Sequence, residues 1–374
     1  MMLMNLPQSL LYGAHTLYEL PTQLQRLHVE KPIIMYSGSA VNDCLNWLRD
    51  TFSGATFFEM PKGEPTLSML DDAVQAIQQR GNDSVVAIGG GSAIDLAKAA
   101  AAVVYDQERD FMSFQQLQTF RRLPLIAIPT TAGTGAEATR ITVIIDEERG
   151  MKLNPAHPDF IPDIAILDPE LTVSMPAHIT AFTALDALTH AIEAYVATNA
   201  TVLSDVFALQ AMPLITANIE TAVNEPMNLV AREQLMLGSF YAGIAISNAT
   251  TNLAHATGRV LGATYHLPHG QSVALTHPFV VERGLEAASE RYDHVAKAMG
   301  LATREDIAPY LRTLNDKLHV WKSATSLANV LDDDAIAHMT ALVATGNGLL
   351  TNRWDVTKDD IADVFVKLKE RLQQ

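Results

Sequence analysis

Residues 85–104 read VVAIGGGSAIDLAKAAAAVV, and they set the architecture of the first half of the chain. Val85–Ile88 is a short, continuously apolar run, which is how a strand covered on both faces of a parallel sheet reads. Gly89, Gly90 and Gly91 interrupt it, and from Ser92 onward good helix formers take over. Ser92 and Asp95 have the spacing of a capping box, which predicts where the helix starts. The same alternation extends both ways. Upstream, Lys31–Ser37 and Ala55–Met60 read as strands, with helices over Val41–Arg49 and Leu67–Arg80. Downstream, Leu125–Ile128 and Ile164–Leu167 are further strands, and Thr142–Asp146 is a strand or hairpin. Strands alternating with helices of this length predict an α/β domain built on a parallel sheet. Residues 1–30 read as an irregular start followed by an amphipathic helix around Leu17–His28, and 61–65 and 344–355 as loops.

From Pro176 the periodicity changes to that of helices and stays there. Apolar-periodic segments cover 178–197, 203–223, 228–247, 271–283, 286–299, 303–318, 333–343 and 357–372. The expected organisation is therefore an α/β domain over 1–175 and an all-helical domain over 176–374. A chain of 374 residues exceeds one typical core, in keeping with two domains.

Composition narrows the function. The formal net charge is −16, from 42 acidic and 26 basic residues, which argues against nucleic acid or an anionic membrane as partner. The single cysteine, Cys44, cannot form an intrachain disulfide and points to a reducing compartment, the cytoplasm. The N-terminal stretch lacks a basic region before its apolar residues, and no long uncharged apolar run predicts a membrane span.

Two loops have the composition of a phosphate cradle. GGGS (89–92) follows a strand and opens a helix, so its backbone amides can face an anion. On its own this turn is equally an ordinary tight connection. PTTAGTGAE (129–137) also follows a strand, and its small hydroxyl residues and glycines suit a diphosphate or ribose. Thr134 and Glu137 again have the capping spacing. Loops at the carboxyl ends of parallel strands are where open α/β sheets bind ligands.

The helical half contributes a different chemistry. In TALDALTHAIEAYV, Asp186 and His190 are four apart on one helix face. His255 lies on a later apolar helix, and His269, between Pro268 and Gly270, is expected at a chain turn that aims it into a cleft. An isolated Asp/His pair at this spacing is commonly a local hydrogen bond. Together with two more histidines it forms a carboxylate–imidazole set suited to Fe(2+), Zn(2+) or Mn(2+). His157, His178, His266, His277 and His294 lack partners at ligand spacing and read as surface or packing residues.

Taken together, GGGSAIDLAKAAA (89–101), PTTAGTGAEAT (129–139), DALTHAIEAYV (186–196) and the pair His255 and His269 resemble the iron-containing alcohol dehydrogenase family over nearly the whole chain. The resemblance implies that 1–175 is a Rossmann-like dinucleotide-binding domain, that 176–374 is an all-helical metal- and substrate-binding domain with an active-site cleft between the two, and that the protein is a homodimer. It places Asp186, His190, His255 and His269 on the metal ligands. It places Gly89, Gly90, Gly91, Ser92, Asp95, Thr130, Thr131, Thr134 and Lys152 on positions lining the cofactor. Three departures stand out. Ser37 occupies the position after the first strand where an acidic residue often discriminates against a 2′-phosphate, so the cofactor is written NAD(P). Arg259 replaces a histidine four residues beyond the third ligand, and a guanidinium there can hold a substrate anion, or simply face solvent or a nearby acid. Ala184 replaces a glycine.

The implied reaction is hydride transfer between nicotinamide C4 and a primary alcohol or aldehyde at an Fe(2+) or Zn(2+) centre. Alternatives are glycerol dehydrogenase-like polyol oxidation on Zn(2+), a dehydroquinate synthase-like lyase, and a non-catalytic metal- and nucleotide-binding protein.

Overall fold

The computed structural model describes residues 4–61, 63–346 and 348–374. Parts of the expected irregular start and of the two loops at 61–65 and 344–355 lie outside the described residues. The chain divides into two compact units. One comprises Met1–Met175 with Pro226–Gly243, the other Pro176–Glu225 with Ile244–Gln374.

The first unit is built on strands β1 (Ser9–Tyr12), β2 (Pro32–Tyr36), β3 (Thr56–Glu59), β4 (Ser84–Gly89) and β5 (Leu125–Pro129), with β6 (Ile144–Asp146), β7 (Met151–Leu153) and β8 (Ile164–Leu167) after them. Its helices are α1 (Leu20–Arg26), α2 (Asn42–Thr51), α3 (Leu67–Arg80) and α4 (Gly91–Val103). Six strands form one parallel sheet in the order β1-β8-β5-β4-β2-β3, and β6 and β7 form an antiparallel hairpin. The apolar runs work as a strand buried on both faces requires. Ile33, Met35, Val85, Ala87, Leu125 and Ala127 join one core with α3 and α4, while their neighbours Ile34, Tyr36, Val86, Ile88, Ile126 and Ile128 join the other. Each large side chain buried this way contributes about 1.5–3 kcal/mol of transfer free energy.

The strand order reverses direction between β2 and β4, because β3 lies outside β2 on one side while β5 and β8 lie beyond β4 on the other. The carboxyl ends of adjacent strands at such a reversal leave a crevice.

Several details differ from expectation. Residues 9–12 are an edge strand paired with β8, a partner more than 150 residues away that local pattern cannot reveal. Residues 17–28 are a short 3-10 turn (Thr16–Glu19) running into α1, because Pro21 suits only a helix start. Neither capping box forms. The N-cap of α4 is Gly90, and the Asp95 carboxylate instead accepts the Val143 amide at 3.2 Å. Thr134 accepts the Ala136 amide at 3.3 Å, while Glu137 is buried. The segment 226–243, expected among the helices of the second domain, groups with the sheet unit. Its Gln234 side chain donates to the Tyr12 hydroxyl at 3.3 Å, and its Gly243 packs so closely on Gly135 that a Cβ on either would strike backbone.

After β8 the longer elements are helical: α5 (Ala177–Val196), α6 (Val202–Asn224), α7 (Leu229–Asn248), α8 (Leu253–Tyr265), α9 (His269–Gly284), α10 (Ser289–Ala298), α11 (Ile307–Lys317), α12 (Asp333–Ala344) and α13 (Lys358–Leu372). α7 begins in the first unit and its last residues belong to the second. α5 packs against α6, α9 and α10, and is buried on nearly every face, which accounts for its uninterrupted apolar and small residues. Among the described residues α6 alone is long and apolar enough to cross a membrane by length and composition. It nonetheless carries Asp205, paired with Arg291, and lies along α5 and α10.

Lys98 braces the first unit from inside. Its fully buried ammonium donates to the Thr139 carbonyl at 2.9 Å, the Thr139 hydroxyl at 3.0 Å and the Ile141 carbonyl at 3.0 Å, with Asp95 at 3.8 Å. Burial pushes the Lys98 amine down to about 8 and the neighbouring Glu137 carboxyl up to about 7. Removing the cation leaves Asp95 and Glu137 uncompensated, so Lys98→Ala is expected to cost about 3–5 kcal/mol in urea denaturation. A loss below about 1 kcal/mol would show that the brace carries no weight.

Candidate metal centre

Asp186 and His190 project from the middle of α5, one turn apart, and both are buried. His255 comes from the first turn of α8. His269 is not in a turn, as expected from its Pro and Gly neighbours, but is the first residue of α9, with Pro268 as N-cap. Its side chain is 39% exposed, whereas those of Asp186 and His255 are 3% and 4% exposed. Gly270 explains how α9 comes so near α5. A Cβ there would lie 2.2 Å from the Phe182 carbonyl oxygen and 3.3 Å from Asp186 Cβ.

All three imidazoles converge on one atom. Asp186 Oδ1 lies 3.3 Å from His255 Nε2, 3.6 Å from His269 Nε2 and 3.8 Å from His190 Nε2. Two donors each about 2.1 Å from one tetrahedral ion stand roughly 3.4 Å apart, so these separations are those of a shared coordination sphere. Ligand atoms of Asp186, His255 and His269 all fall within 4.8 Å of one another. The His190 and His255 rings stack, with centroids 4.5 Å apart and planes 15° from parallel. Asp186 Oδ1 and His255 Nε2 are both buried and make no hydrogen bond within the protein, although they face each other. Buried polar atoms left in this state are costly unless something else satisfies them. A divalent cation does so, and one carboxylate with three imidazoles suits Fe(2+) or Zn(2+).

Burial and mutual charge set the protonation of these groups in opposite directions. Burial opposes ionisation of Asp186, yet His190, His269 and His255 together hold its carboxyl far below the ordinary range. Burial drives His190 down to about 4, keeping it a neutral donor at physiological pH. His255 resists burial because Glu193 and Asp186 flank it, and is held up at about 9. Glu193 carries no motif signal beyond its place seven residues after Asp186, which returns it to the same helix face. His277 is buried as a packing residue, its Nδ1 2.9 Å from the Thr189 hydroxyl. Arg259 is one turn beyond His255 on α8, and burial pulls its guanidinium below its usual value.

In the sheet unit, the two glycine- and threonine-rich loops meet. The Ser37 amide donates to the Ile88 carbonyl at 3.1 Å, joining the ends of β2 and β4. A Cβ on Gly89 would sit 2.7 Å from Ser37 Oγ, and one on Gly91 would sit 2.7 Å from Thr134 Oγ1. Thr131 packs over Gly90, and the Thr130 amide donates to the Gly89 carbonyl at 2.9 Å. Ser37, Gly89–Gly91, Thr130, Thr131 and Thr134 thus gather at the carboxyl ends of three neighbouring strands, with Ser92 in the first turn of α4. Asp95 turns toward Val143 and Lys98, and Lys152, on β7, pairs with Glu64.

Residues 7–169 match the family described as iron-containing alcohol dehydrogenase, and residues 180–368 match the C-terminal region of the same family. The chain belongs to the iron-containing alcohol dehydrogenase family. Among curated family members, the probable alcohol dehydrogenase EutG of Escherichia coli K12 is 42% identical over 67% of this chain. That match takes in 64% of EutG, so this chain spans just under two thirds of that relative's length. The NADPH-dependent butanol dehydrogenase of Clostridium saccharobutylicum is 32% identical over 86% of this chain and 85% of its own. Among solved structures of similar fold, sulfoacetaldehyde reductase from Bifidobacterium kashiwanohense in complex with NAD+ superposes with a TM-score of 0.91 at 27% identity, covering 99% of both chains.

Because Gly270 leaves no room against Phe182, Gly270→Ala must push the start of α9 away from α5. The expected cost is about 1–3 kcal/mol in urea denaturation. An unchanged midpoint would mean that α9 has slack there.

Proposed function

We propose that this protein is a metal-dependent, NAD(P)-linked alcohol dehydrogenase or aldehyde reductase. It moves a hydride between C4 of a nicotinamide and a primary alcohol or aldehyde. The observation that carries this reading is the convergence of three imidazoles on Asp186 Oδ1, within 3.3–3.8 Å. Family membership supports the reaction class.

Asp186, His190, His255 and His269 are assigned to hold one divalent ion, Fe(2+) or Zn(2+). Bound there, the ion supplies Lewis acidity toward the substrate oxygen. The Asp186 carboxylate offsets part of its charge, and the buried imidazoles keep that side of the site dry. His269, the most exposed of the set, is assigned to the open side from which the alcohol or aldehyde approaches.

The amides of Gly90, Gly91 and Ser92 at the start of α4 are assigned to the cofactor diphosphate, where the helix end favours an anion. Thr130, Thr131 and Thr134 supply hydroxyls beside them. Asp95 is assigned a supporting role through the Val143 amide, and Lys152 an outer one from the hairpin. Ser37 presents no carboxylate to repel a 2′-phosphate, which supports use of either NAD or NADP. No side chain is assigned as a general base. Arg259 is assigned to an anionic group on the substrate, supported by its place one turn beyond His255 on the same helix face. We also assign a homodimer and a cytoplasmic location, on the family resemblance and the single cysteine respectively.

His269→Ala and Asp186→Asn are each expected to remove bound metal, seen by elemental analysis. They should also lower NAD(P)H-dependent reduction of short aldehydes by roughly 10³-fold or more. Normal turnover by a metal-free variant would overturn the proposal. Arg259→Leu is expected to raise KM for aldehydes bearing a carboxylate or sulfonate by about 10–100-fold, leaving uncharged aldehydes nearly unaffected. Equal effects on both classes would remove Arg259 from substrate recognition.

A further inference from the structure

Behind the four candidate ligands lies a second buried carboxylate that the reaction scheme leaves unused. Glu193 is 2% exposed and stands one turn beyond His190 on the same stripe of α5. A carboxylate that deep must be satisfied by donors. Its Oε2 lies 2.6 Å from His255 Nδ1 and 2.9 Å from the Asn252 amide nitrogen, and its Oε1 accepts the Ala254 amide at 2.7 Å.

The partners matter more than their number. Asn252 is the N-cap of α8, and its side chain caps nothing in that helix. It is turned away, donating from Nδ2 to the Glu193 carbonyl at 3.0 Å and accepting from the Thr351 hydroxyl at 2.7 Å. Glu193, from a different helix, therefore takes over the cap, satisfying amides that α8 leaves without partners. The same carboxylate grips the imidazole that projects from that first turn. An ionised carboxylate can only accept, so the proton between them belongs to His255 Nδ1. When an ion displaces the second imidazole proton, His255 Nε2, 3.3 Å from Asp186 Oδ1, is the nitrogen left to donate a lone pair.

We propose that Glu193 is a positioning residue of the ion site: by anchoring the start of α8 and holding the Nδ1 proton of His255, it aims Nε2 at the point shared with Asp186. This inference rests on the ion site proposed above. A carboxylate on the far side of a ligating imidazole fixes the ring's tautomer and orientation and raises its donor strength. Losing such a partner typically costs 10–100-fold in metal affinity.

The test is Zn(2+) affinity of the metal-stripped full-length protein, measured by competition with a chromophoric chelator. Glu193→Gln keeps one acceptor oxygen, for the Ala254 or the Asn252 amide, but loses the charge and the second acceptor. It is expected to retain the far-UV spectrum and to bind Zn(2+) about 10–100-fold more weakly. Glu193→Asp, which keeps the charge, should recover part of that loss, and the Co(2+) d–d absorption of the Gln variant should shift. Wild-type affinity in Glu193→Gln would overturn the inference, as would equal losses in both variants with an unshifted Co(2+) spectrum. In the unaltered protein, ¹⁵N-histidine NMR with Zn(2+) bound should show His255 protonated at Nδ1. Finding that proton on Nε2 overturns the inference whether or not the variants fold. The ion site itself is judged separately. If His269→Ala loses Zn(2+) while Glu193→Gln does not, the site stands and only the role of Glu193 falls. If wild type and His269→Ala bind alike, both fall.

Discussion

Burying the Asp186 carboxylate among three imidazoles is the constraint on which the helical unit is arranged. A carboxylate in an apolar interior is unfavourable by several kcal/mol unless its charge is answered locally. Here the answering groups come from three helices, so α5, α8 and α9 must be held together where these side chains meet. Glycines permit this. Gly270 lets the start of α9 lie against the α5 backbone at Phe182, and Gly258 lets α8 press on the Val273 backbone. Polar ties from outside complete the arrangement. Glu193 reaches from α5 to the start of α8, and Asn352 and Thr351 lock the Asn252 corner from late in the chain.

The sheet unit meets a comparable demand differently. The groups gathered at its strand ends are backbone amides and short hydroxyls, which carry no charge to bury. What must be exact is the spacing of three strand ends, and the parallel register supplies it, with Val86 of β4 opposite Ile34 of β2 and Ile126 of β5. The loops behind those ends are held by the buried Lys98 ammonium. Its neighbours Asp95 and Glu137 both have carboxyls raised by burial, to about 6 and about 7. Charge is thus kept behind the cradle and away from the face that an anionic cofactor would take.

Much of this was legible in the residues themselves. Continuous apolar runs marked the inner strands because those strands are covered on both sides, and α3 and β8 fall on the expected residues. The i,i+4 spacing of Asp186 and His190 was readable because a helix fixes the relation of such neighbours. Other features depend on contacts between distant parts of the chain. β1 exists only because β8 pairs with it, and Pro226–Gly243 joins the sheet unit through Tyr12 and Gly135. The capping spacings misled because glycines set both N-caps, leaving Asp95 and Thr134 other amides to accept. Glu193 was hidden by its own setting, since a glutamate among alanines on an apolar helix looks like an exposed position until α8 is seen to cover it.

X-ray absorption at the zinc K edge of the protein loaded with one equivalent of Zn(2+) bears most directly on the central claim. The expected result is a first shell of nitrogen and oxygen only, at about 2.0–2.2 Å, with outer-shell scattering from three imidazoles, one each for His190, His255 and His269. A sulfur scatterer, or fewer than three imidazoles, would contradict it.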